Sequence, residues 1–283
     1  MFKDASEGKG TAFNYFPLQP RLQSMATHYL EYREFSKSNN QNILLFYQFK
    51  NDPSDVPVLV FPDGCIEIIF CCNPNRPSAS IYGSVLNSRS IHFEAGYEHF
   101  AVRLLPEQGR RFMNYPVSEI TDKKLPLLEL VLADSSIVEN ICEQTSFTDR
   151  IHVFMEFIQA VTREERAVPE FIDYSVKKIY THKGNITIKE LAEDTGYSDR
   201  YLRRKFEEFI GMKPKLFCQI VRVQNSLQTL MHRRDFHLMD VLDELGYYDQ
   251  SHFIGEFKRF NMLPPSQLKK LLMNEAYDIG GII

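Results

Sequence analysis

The chain has 283 residues, 43% of them hydrophobic and 25% charged, which suits a globular protein with a large core. No stretch approaches the ~18 apolar residues that a membrane helix needs, and the chain does not start with the apolar run of a secretory signal. We therefore expect a cytoplasmic protein without a membrane partner. Five cysteines without C-x-x-C spacing argue against a disulfide framework and a zinc site, so we expect reduced thiols in the core.

The net charge of −4 is unevenly distributed along the chain. Residues 1–169 carry 16 Lys and Arg against 21 Asp and Glu, whereas residues 170–283 carry 17 against 16. Residues 200–222 hold seven basic side chains against Glu207 and Glu208 only. A local excess of this kind suits binding to a phosphate backbone.

The first part of the chain, residues 1–125, has the pattern of a β-rich domain. Aromatic and β-branched runs alternate with Pro, Gly and Asn clusters, which predicts short antiparallel strands in a cupin-like, barrel or sandwich arrangement. We predict strands at Ile43–Phe49, Cys65–Phe70 and Phe100–Leu105, with a turn at 62–64. The predicted fold class is α+β, with this domain followed by helices.

The later part of the chain is helical in pattern. After a short helix and loop over 107–124, apolar residues recur at steps of three and four, which predicts a helical annex and linker over 126–168. The annex helices could also form a dimer interface. The charged run 162–169 ends on a proline and is the best linker candidate. We assign 169–273 to an all-α domain and 274–283 to a tail.

Two stretches of the helical domain, 186–211 and 237–261, share one pattern: an amphipathic helix, a Gly-Tyr turn and a second helix ending on aromatic residues. Gly196 and Gly246 permit the tight turn, because glycine tolerates positive φ. The sequence therefore predicts two helix-turn-helix units. The second helix of each unit is the one that enters a DNA major groove in this architecture.

In the first unit, Ser198 is expected to cap the second helix, and its outward side carries Arg200, Arg203 and Arg204. The planar guanidinium group can donate twice to guanine. In the second unit the expected cap is Asp249. The candidate DNA-binding residues are Arg200, Arg203, Arg204, Lys205, Lys213, Lys215, Gln250, Ser251, Ile254 and Lys258.

The second unit should discriminate bases weakly, because its outward positions include Ile254 and Gly255. For Tyr197 and Tyr247 we expect packing in the core rather than contact with nucleic acid. Between the units, a long helix that begins at Pro214 would act as a rigid spacer. Such a spacer could hold two reading helices about 34 Å apart, one turn of DNA.

The segments GYSDRYLRRKFEEFIGMKPKLF, VRVQNSL and GYYDQSHFIGEFKRF followed by PP resemble, in order and spacing, the DNA-binding domain of AraC-type transcription regulators. The resemblance covers about 170–273 and implies sequence-specific binding to double-stranded DNA. It also implies three further partners to test: RNA polymerase, a small-molecule effector and a second copy of the chain in a homodimer. Three positions depart from the family pattern: Leu242, Gly255 and Asn261. The N-terminal part is similar to an uncharacterised β-rich domain often fused to such regulators.

The alternative function is a ligand- or metal-binding β-domain enzyme with a helical appendage for assembly. His92 and Glu94 alternate as ligands on one strand would, with His28 and His99 elsewhere in the domain. The pattern is loose, and surface or core histidines explain it better. Asp63 and Glu67 are more simply a turn aspartate and a strand glutamate than a catalytic pair. We predict no enzyme activity, no metal and no cofactor.

Overall fold

The computed structural model describes residues 15–33, 43–51, 57–113, 115–131, 135–163, 167–232 and 242–271. The tail 274–283 and the centre of the predicted linker lie outside these residues. Among the described helices, none is long and apolar enough to cross a membrane.

The N-terminal part contains eight described strands in two antiparallel sheets. The strands are β1 Thr27–Tyr32, β2 Ile43–Lys50, β3 Val58–Val60, β4 Ile66–Cys71, β5 Ser78–Tyr82, β6 Arg89–Ile91, β7 Glu98–Leu104 and β8 Lys124–Pro126. Six of them form a sheet in the order β1-β2-β7-β4-β5-β8, and β3 pairs with β6 in the second sheet. The three predicted strands correspond to β2, β4 and β7, with ends that differ by one or two residues.

Helices fill the rest of the described chain. They are α1 Pro20–Met25, α2 Gly109–Phe112, α3 Val117–Ile120, α4 Leu127–Leu130, α5 Ser136–Glu143, α6 Phe147–Val161, α7 Glu170–Thr181, α8 Ile188–Thr195, α9 Asp199–Ile210, α10 Pro214–His232, α11 with described residues 242–244, α12 Gln250–Arg259 and α13 with described residues 265–271. A single turn of 3-10 helix at Pro106–Gln108 precedes α2. The chain is thus α+β, with a sheet-containing part and a helical part.

Both faces of the six-stranded sheet are covered, which explains why its strands lack a clean apolar-polar alternation. On one face, Phe154 of α6 meets the rings of Phe46, Phe70 and Phe100 edge-on at 6.0–6.4 Å. On the other face, the small β3–β6 sheet packs against Tyr47 and its neighbours. The apolar faces of α5 and α6, which suggested an annex or a dimer interface, are used against the sheet.

The helical part has its own core, which also includes Tyr15 and Phe61 from the N-terminal region. Leu202, Phe206, Phe217 and their neighbours are fully buried there. This shared core joins the two parts of the molecule, so their relative placement is set by buried side chains.

All five cysteines are free, and Cys65, Cys71 and Cys218 are buried as expected. The expectation of a core position is wrong for Cys72 and Cys142, which are only partly buried. Cys72 lies just beyond the end of β4, and Cys142 lies in the last turn of α5. Cys72 therefore lies at the end of a central strand, and Cys142 at the end of a helix, rather than in the middle of the core.

Candidate nucleic-acid interface

The first helix-turn-helix unit consists of α8 and α9. Thr187 and Glu190 form a capping box that starts α8, and Gly196 ends this helix with φ of 72°. The Ser198 side chain then accepts a hydrogen bond from the Tyr201 N–H at 3.4 Å and caps α9. The capping box, the turn glycine and the Ser198 cap each act within a few residues, so the sequence alone was enough to place this unit.

The buried side of α9 consists of Leu202, Phe206 and Ile210. Arg200, Arg203 and Arg204 are all exposed on the opposite side. Arg203 pairs with Asp199 at 3.1 Å, but both side chains are nearly half exposed, so the pair is weak and easily exchanged for a phosphate or a base. Arg204 lies over the Tyr201 ring at 5.3 Å. The arginine side of α9 is therefore open to a partner.

An aromatic cluster flanks this side of α9. Tyr197 stacks on Tyr201 with a centroid distance of 5.2 Å and lies 4.3 Å from the Phe171 ring. The Tyr197 side chain is 43% exposed, so the expectation that it packs in the core is wrong. It packs on other rings at the surface, because Phe171 at the start of α7 is itself only partly covered.

The second unit has the same kind of turn and the same capped second helix, and residues 237–241 of its predicted first helix lie outside the described part of the chain. Gly246 has φ of 70°, and the Asp249 carboxylate accepts a hydrogen bond from the His252 N–H at 2.7 Å to cap α12. Tyr247 is buried, as expected. The cap comes one residue later after the glycine than in the first unit, so the extra turn residue predicted from the sequence is present.

The outward side of α12 is poorer in side chains that could read bases. Gln250, Ser251 and Lys258 are exposed, Ile254 is partly buried, and Gly255 faces open space, with nothing within 4 Å of the position its Cβ would occupy. Both units pack on the long helix α10, which begins at Pro214 as predicted.

A helix-turn-helix family model matches residues 191–271. A curated relative, an uncharacterised helix-turn-helix-type transcriptional regulator of Haemophilus influenzae, is 35% identical over 83 residues. The alignment covers 29% of this chain and 28% of that relative's length.

The match identifies residues 191–271 as a helix-turn-helix domain, in agreement with the resemblance of residues 170–273 to the DNA-binding domain of AraC-type regulators. A second model, described as a domain of unknown function (DUF6597), matches residues 40–126 of the sheet-containing part. This match agrees with the resemblance of that part to an uncharacterised domain.

Two solved structures are similar to the chain. The C-terminal domain of AraT, a response regulator from Geobacillus stearothermophilus, aligns at 18% identity over 37% of this chain and 87% of its own length, with a TM-score of 0.35. An apo ToxT variant from Vibrio cholerae aligns at 14% identity over 83% of this chain and all of its own length, with a TM-score of 0.43. At TM-scores below 0.5, these alignments do not establish a shared overall fold.

The positions that depart from the AraC-type pattern are accommodated. Leu242 is buried in the core of the helical part. Asn261 adopts the left-handed conformation with φ of 54°, as expected for an asparagine in place of glycine. Gly255 leaves a gap on the surface of α12 and disturbs no packing.

The remaining candidate lysines lie around the arginine side rather than on it. Lys205 is partly buried, pairs with Glu208 at 2.8 Å and lies over Phe209, whose ring also carries Arg110 of α2. It therefore faces the sheet-containing part. Lys213 and Lys215 are exposed at the turn into α10 and its first turn.

A buried charge cluster holds α12 in place and was not predicted from the sequence. Arg222 of α10 donates to both carboxylate oxygens of Glu256 at 2.9 and 3.0 Å, and the Tyr247 hydroxyl donates to the same carboxylate at 2.6 Å. Glu256 is 4% exposed. The available signal was the position of Glu256 on the apolar side of α12. A glutamate there needs a buried cationic partner.

The sheet-containing part contacts the C-terminal ends of both candidate reading helices, α9 and α12. The Thr121 hydroxyl donates to the Gly211 carbonyl at the end of α9, and the Ser88 N–H donates to the Phe260 carbonyl at the end of α12, both at 2.9 Å. α3 also packs along α9. The N-terminal ends of both helices, which carry the candidate base-reading residues, stay exposed.

The residues considered for a metal site are not arranged as one. β6 ends at Ile91, so His92 and Glu94 lie beyond it and do not alternate on a strand. His99 is buried between Phe49 and Phe93, and burial lowers its pKa to about 4. Within the described residues, no group of three or more His, Cys, Asp or Glu side chains could share a metal ion.

Asp63 and Glu67 both interact with a buried arginine that the sequence analysis overlooked. Arg103 of β7 donates from Nε to Glu67 at 2.7 Å, and its Nε lies 3.8 Å from the Asp63 carboxylate. Arg103 is 3% exposed and rests on the Tyr47 ring. The two carboxylates thus act as counter-ions within the sheet-containing part.

Proposed function

We propose that this chain is a transcription regulator that binds double-stranded DNA in a sequence-specific manner through α9 and α12. The observation that carries the proposal is the exposure of Arg200, Arg203 and Arg204 on one capped helix of a repeated helix-turn-helix unit. Phosphate binding places such a helix, and base-edge contacts give its specificity. The relation of residues 191–271 to a helix-turn-helix-type regulator agrees with this function.

The two units have different roles in this proposal. The arginines of α9 read guanine edges in one major groove. In α12, Gln250 suits adenine and Ser251 can bond a donor or an acceptor on a base edge, whereas Ile254 offers only contact with a thymine methyl group. Lys213, Lys215 and Lys258 contact phosphates, and Lys205 contributes only to the local field because it faces the other part of the molecule.

We infer that the sheet-containing part controls DNA binding, in response to a small-molecule effector or a second copy of the chain. Its contacts with the ends of α9 and α12 provide a route by which its state alters the spacing of the two reading helices. Homodimerisation, contact with RNA polymerase and a cytoplasmic location are further elements of the proposal. The alternative of a catalytic or metal-binding β-domain has no specific observation in its favour.

The proposal is tested by fluorescence anisotropy of the full chain on the duplex upstream of its own gene, across a salt series. We expect a steep loss of affinity as salt rises, with a slope reduced by about 1 for each phosphate contact removed. Arg203→Ala should weaken binding about tenfold or more. The matched control is Lys189→Ala, which removes an exposed charge on α8, away from the reading helix.

Arg203→Lys separates the two roles of this side chain, because it keeps the charge but loses the planar fork. We expect it to retain the salt slope while losing preference for one base. Affinity that ignores salt, or equal effects of Arg203→Ala and Lys189→Ala, would contradict the proposed interface.

A further inference from the structure

The thiols of Cys72 and Cys142 lie where β4 and α5 end in the sheet-containing part, away from every residue assigned to DNA binding. Helix α5 packs against β4, and this contact brings Cys142 to the end of the strand. The Cys142 Sγ is 3.5 Å from the carbonyl oxygen of Cys71, the residue bonded to Cys72. Successive residues of β4 face opposite sides of the sheet, so Cys72 follows Ile68 and Phe70 onto the α5 side, whereas Cys71 contacts Glu94 on the other side. The two side chains are therefore neighbours in space, although 70 positions separate them in the sequence.

The surroundings of the pair favour a thiolate at Cys72. The hydrogen bond from Cys142 lowers the pKa of Cys72, and the Arg150 guanidinium acts in the same direction against burial and Glu98. Arg150 is itself buried and oriented by Gln48 at 2.6 Å and Glu98 at 2.9 Å. A fixed cation beside a thiol is the usual setting of a reactive cysteine.

The other three cysteines have the opposite environment. Burial and the Glu94 carboxylate raise the pKa of Cys71 to about 12, and burial, with a smaller contribution from Glu256, raises that of Cys218 to about 12. Burial and Asp63 raise the pKa of Cys65. Cys72 and Cys142 are also the two cysteines that solvent reaches in part. Charge therefore singles out Cys72, and accessibility singles out Cys72 together with Cys142, whose own pKa is raised by its hydrogen bond with Cys72 and by burial.

We propose that Cys72 and Cys142 form a dithiol that hydrogen peroxide oxidises to a disulfide between the end of β4 and the end of α5. The Cys72 thiolate attacks one peroxide oxygen, so that an S–O bond forms, the O–O bond breaks and the released hydroxide takes up a proton to become water. The Cys142 sulfur then attacks the sulfenic sulfur, the S–S bond forms, and the hydroxyl leaves with the Cys142 proton as a second water. Two thiols lose two electrons, and peroxide is reduced to two waters.

This modification adds a function beyond DNA binding, and it does not depend on it. The bond would tie α5, a helix that covers one face of the sheet, to the strand beneath it. A thermal shift assay of the oxidised and reduced full chain should therefore give a higher Tm for the oxidised form, since the cross-link restricts the unfolded chain.

The experiment uses the reduced full chain, freed of reductant and exposed to a small excess of hydrogen peroxide, followed by alkylation and mass spectrometry. We expect a loss of about 2 Da before alkylation, two fewer alkyl groups than on the reduced chain after it, and a cross-linked peptide pair containing Cys72 and Cys142. Cys71→Ser, a neighbour with a raised pKa, should leave the cross-link intact. Cys142→Ser should abolish it and leave a Cys72 sulfenic acid that dimedone traps.

Three outcomes would overturn the proposal: no cross-link at any peroxide level, a cross-link through Cys71 instead of Cys72, or dimedone labelling of Cys71 as fast as of Cys72. Because the measurement is a mass and requires no DNA, its failure would leave the assignment of the reading helices untouched. Loss of DNA binding in the arginine variants would likewise not affect the thiol result.

Discussion

At the residue scale, the difference between α9 and α12 rests on what stands at equivalent outward positions. Arg203 and Arg204 of α9 correspond to Ile254 and Gly255 of α12, because Leu202 and Phe253 occupy the same buried position of each helix. Base recognition should therefore come mainly from the first unit.

We expect Arg204→Ala to cost about 1–3 kcal/mol of binding free energy and to relax the preference at one base step, since a bidentate donor is lost. Gly255→Ala should leave affinity nearly unchanged. The new methyl group has open space, and alanine in a helix interior should raise the free energy of unfolding by about 0.5–1 kcal/mol. Anisotropy titrations and urea unfolding measure the two quantities, and equal affinity losses would mean that the units are ranked wrongly.

Glu107 is a buried carboxyl group at the contact between the two parts of the chain. Burial and, to a smaller extent, Asp173 raise its pKa from 4.5 to about 7. The folded protein therefore holds this proton at pH values where the unfolded chain has released it. The free energy of unfolding must then fall as pH rises from about 4.5 to about 7, and the full loss is present above that window.

We expect Glu107→Gln to remove this dependence, because an amide stays neutral at every pH. The difference in the free energy of unfolding between the variant and the native chain should rise by up to about 3 kcal/mol from pH 5 to pH 8. Urea unfolding of both proteins at these two pH values measures this difference. The contribution of His99 has the opposite sign, but it is the same in both proteins and cancels. Parallel pH profiles would show that Glu107 is ionised in the folded state.

At the element scale, two glycines share one backbone conformation for different reasons. Gly196 has φ of 72° and Gly184 has φ of 78°, so both require the left-handed region. No atom lies within 4 Å of a Cβ at Gly196, whereas a Cβ at Gly184 would lie 2.1 Å from the Cys218 carbonyl oxygen of α10. The first glycine only makes a turn, while the second also permits close packing of two backbones.

We expect Gly196→Ala to cost about 1–2 kcal/mol of stability, the price of one left-handed alanine. Gly184→Ala should cost about 1–3 kcal/mol more, because backbone atoms of α10 must move. Urea unfolding of the two variants isolates the packing contribution, since the conformational cost is nearly the same in both. Equal losses would show that α7 and α10 separate easily.

The elements themselves differ in how far the sequence predicts them. Ser198, Asp249 and the two turn glycines act within a few residues, so both helix-turn-helix units were predicted with their caps. For the sheet, the sequence predicted antiparallel strands in a cupin-like, barrel or sandwich arrangement, but not the strand order or the element that covers each face. Helices cover one face and a second sheet the other, and local periodicity carries no information about which element covers which face.

At the scale of the whole molecule, Gln224 of α10 links the two parts. Its Oε1 accepts a hydrogen bond from the Leu18 N–H at 2.8 Å, and its Nε2 donates to the Pro62 carbonyl at 2.7 Å. Nearby, the Tyr15 ring stacks on Tyr180 at 4.5 Å. Since both Gln224 bonds cross between the parts, this side chain should couple their unfolding.

We expect Gln224→Leu to lower stability by about 1–3 kcal/mol, because two buried backbone groups lose their partners. Scanning calorimetry should resolve a single transition of the native chain into two, or broaden it. The control is Gln228→Leu, one turn further along α10 and exposed, which should change stability by less than about 0.5 kcal/mol. A single sharp transition in Gln224→Leu would mean that the shared apolar core alone couples the parts.

The sequence by itself determined the two helix-turn-helix units, their caps and the outward arginines of α9, because helix period, capping and glycine turns are local. Only the tertiary structure decided that Glu256 pairs with Arg222, that Arg103 holds two carboxylates, and that the sheet-containing part grips the ends of both reading helices. These contacts join residues 34 (Arg222 and Glu256) to 172 (Ser88 and Phe260) positions apart. Such pairing depends on how the elements pack together in three dimensions, which no local pattern records.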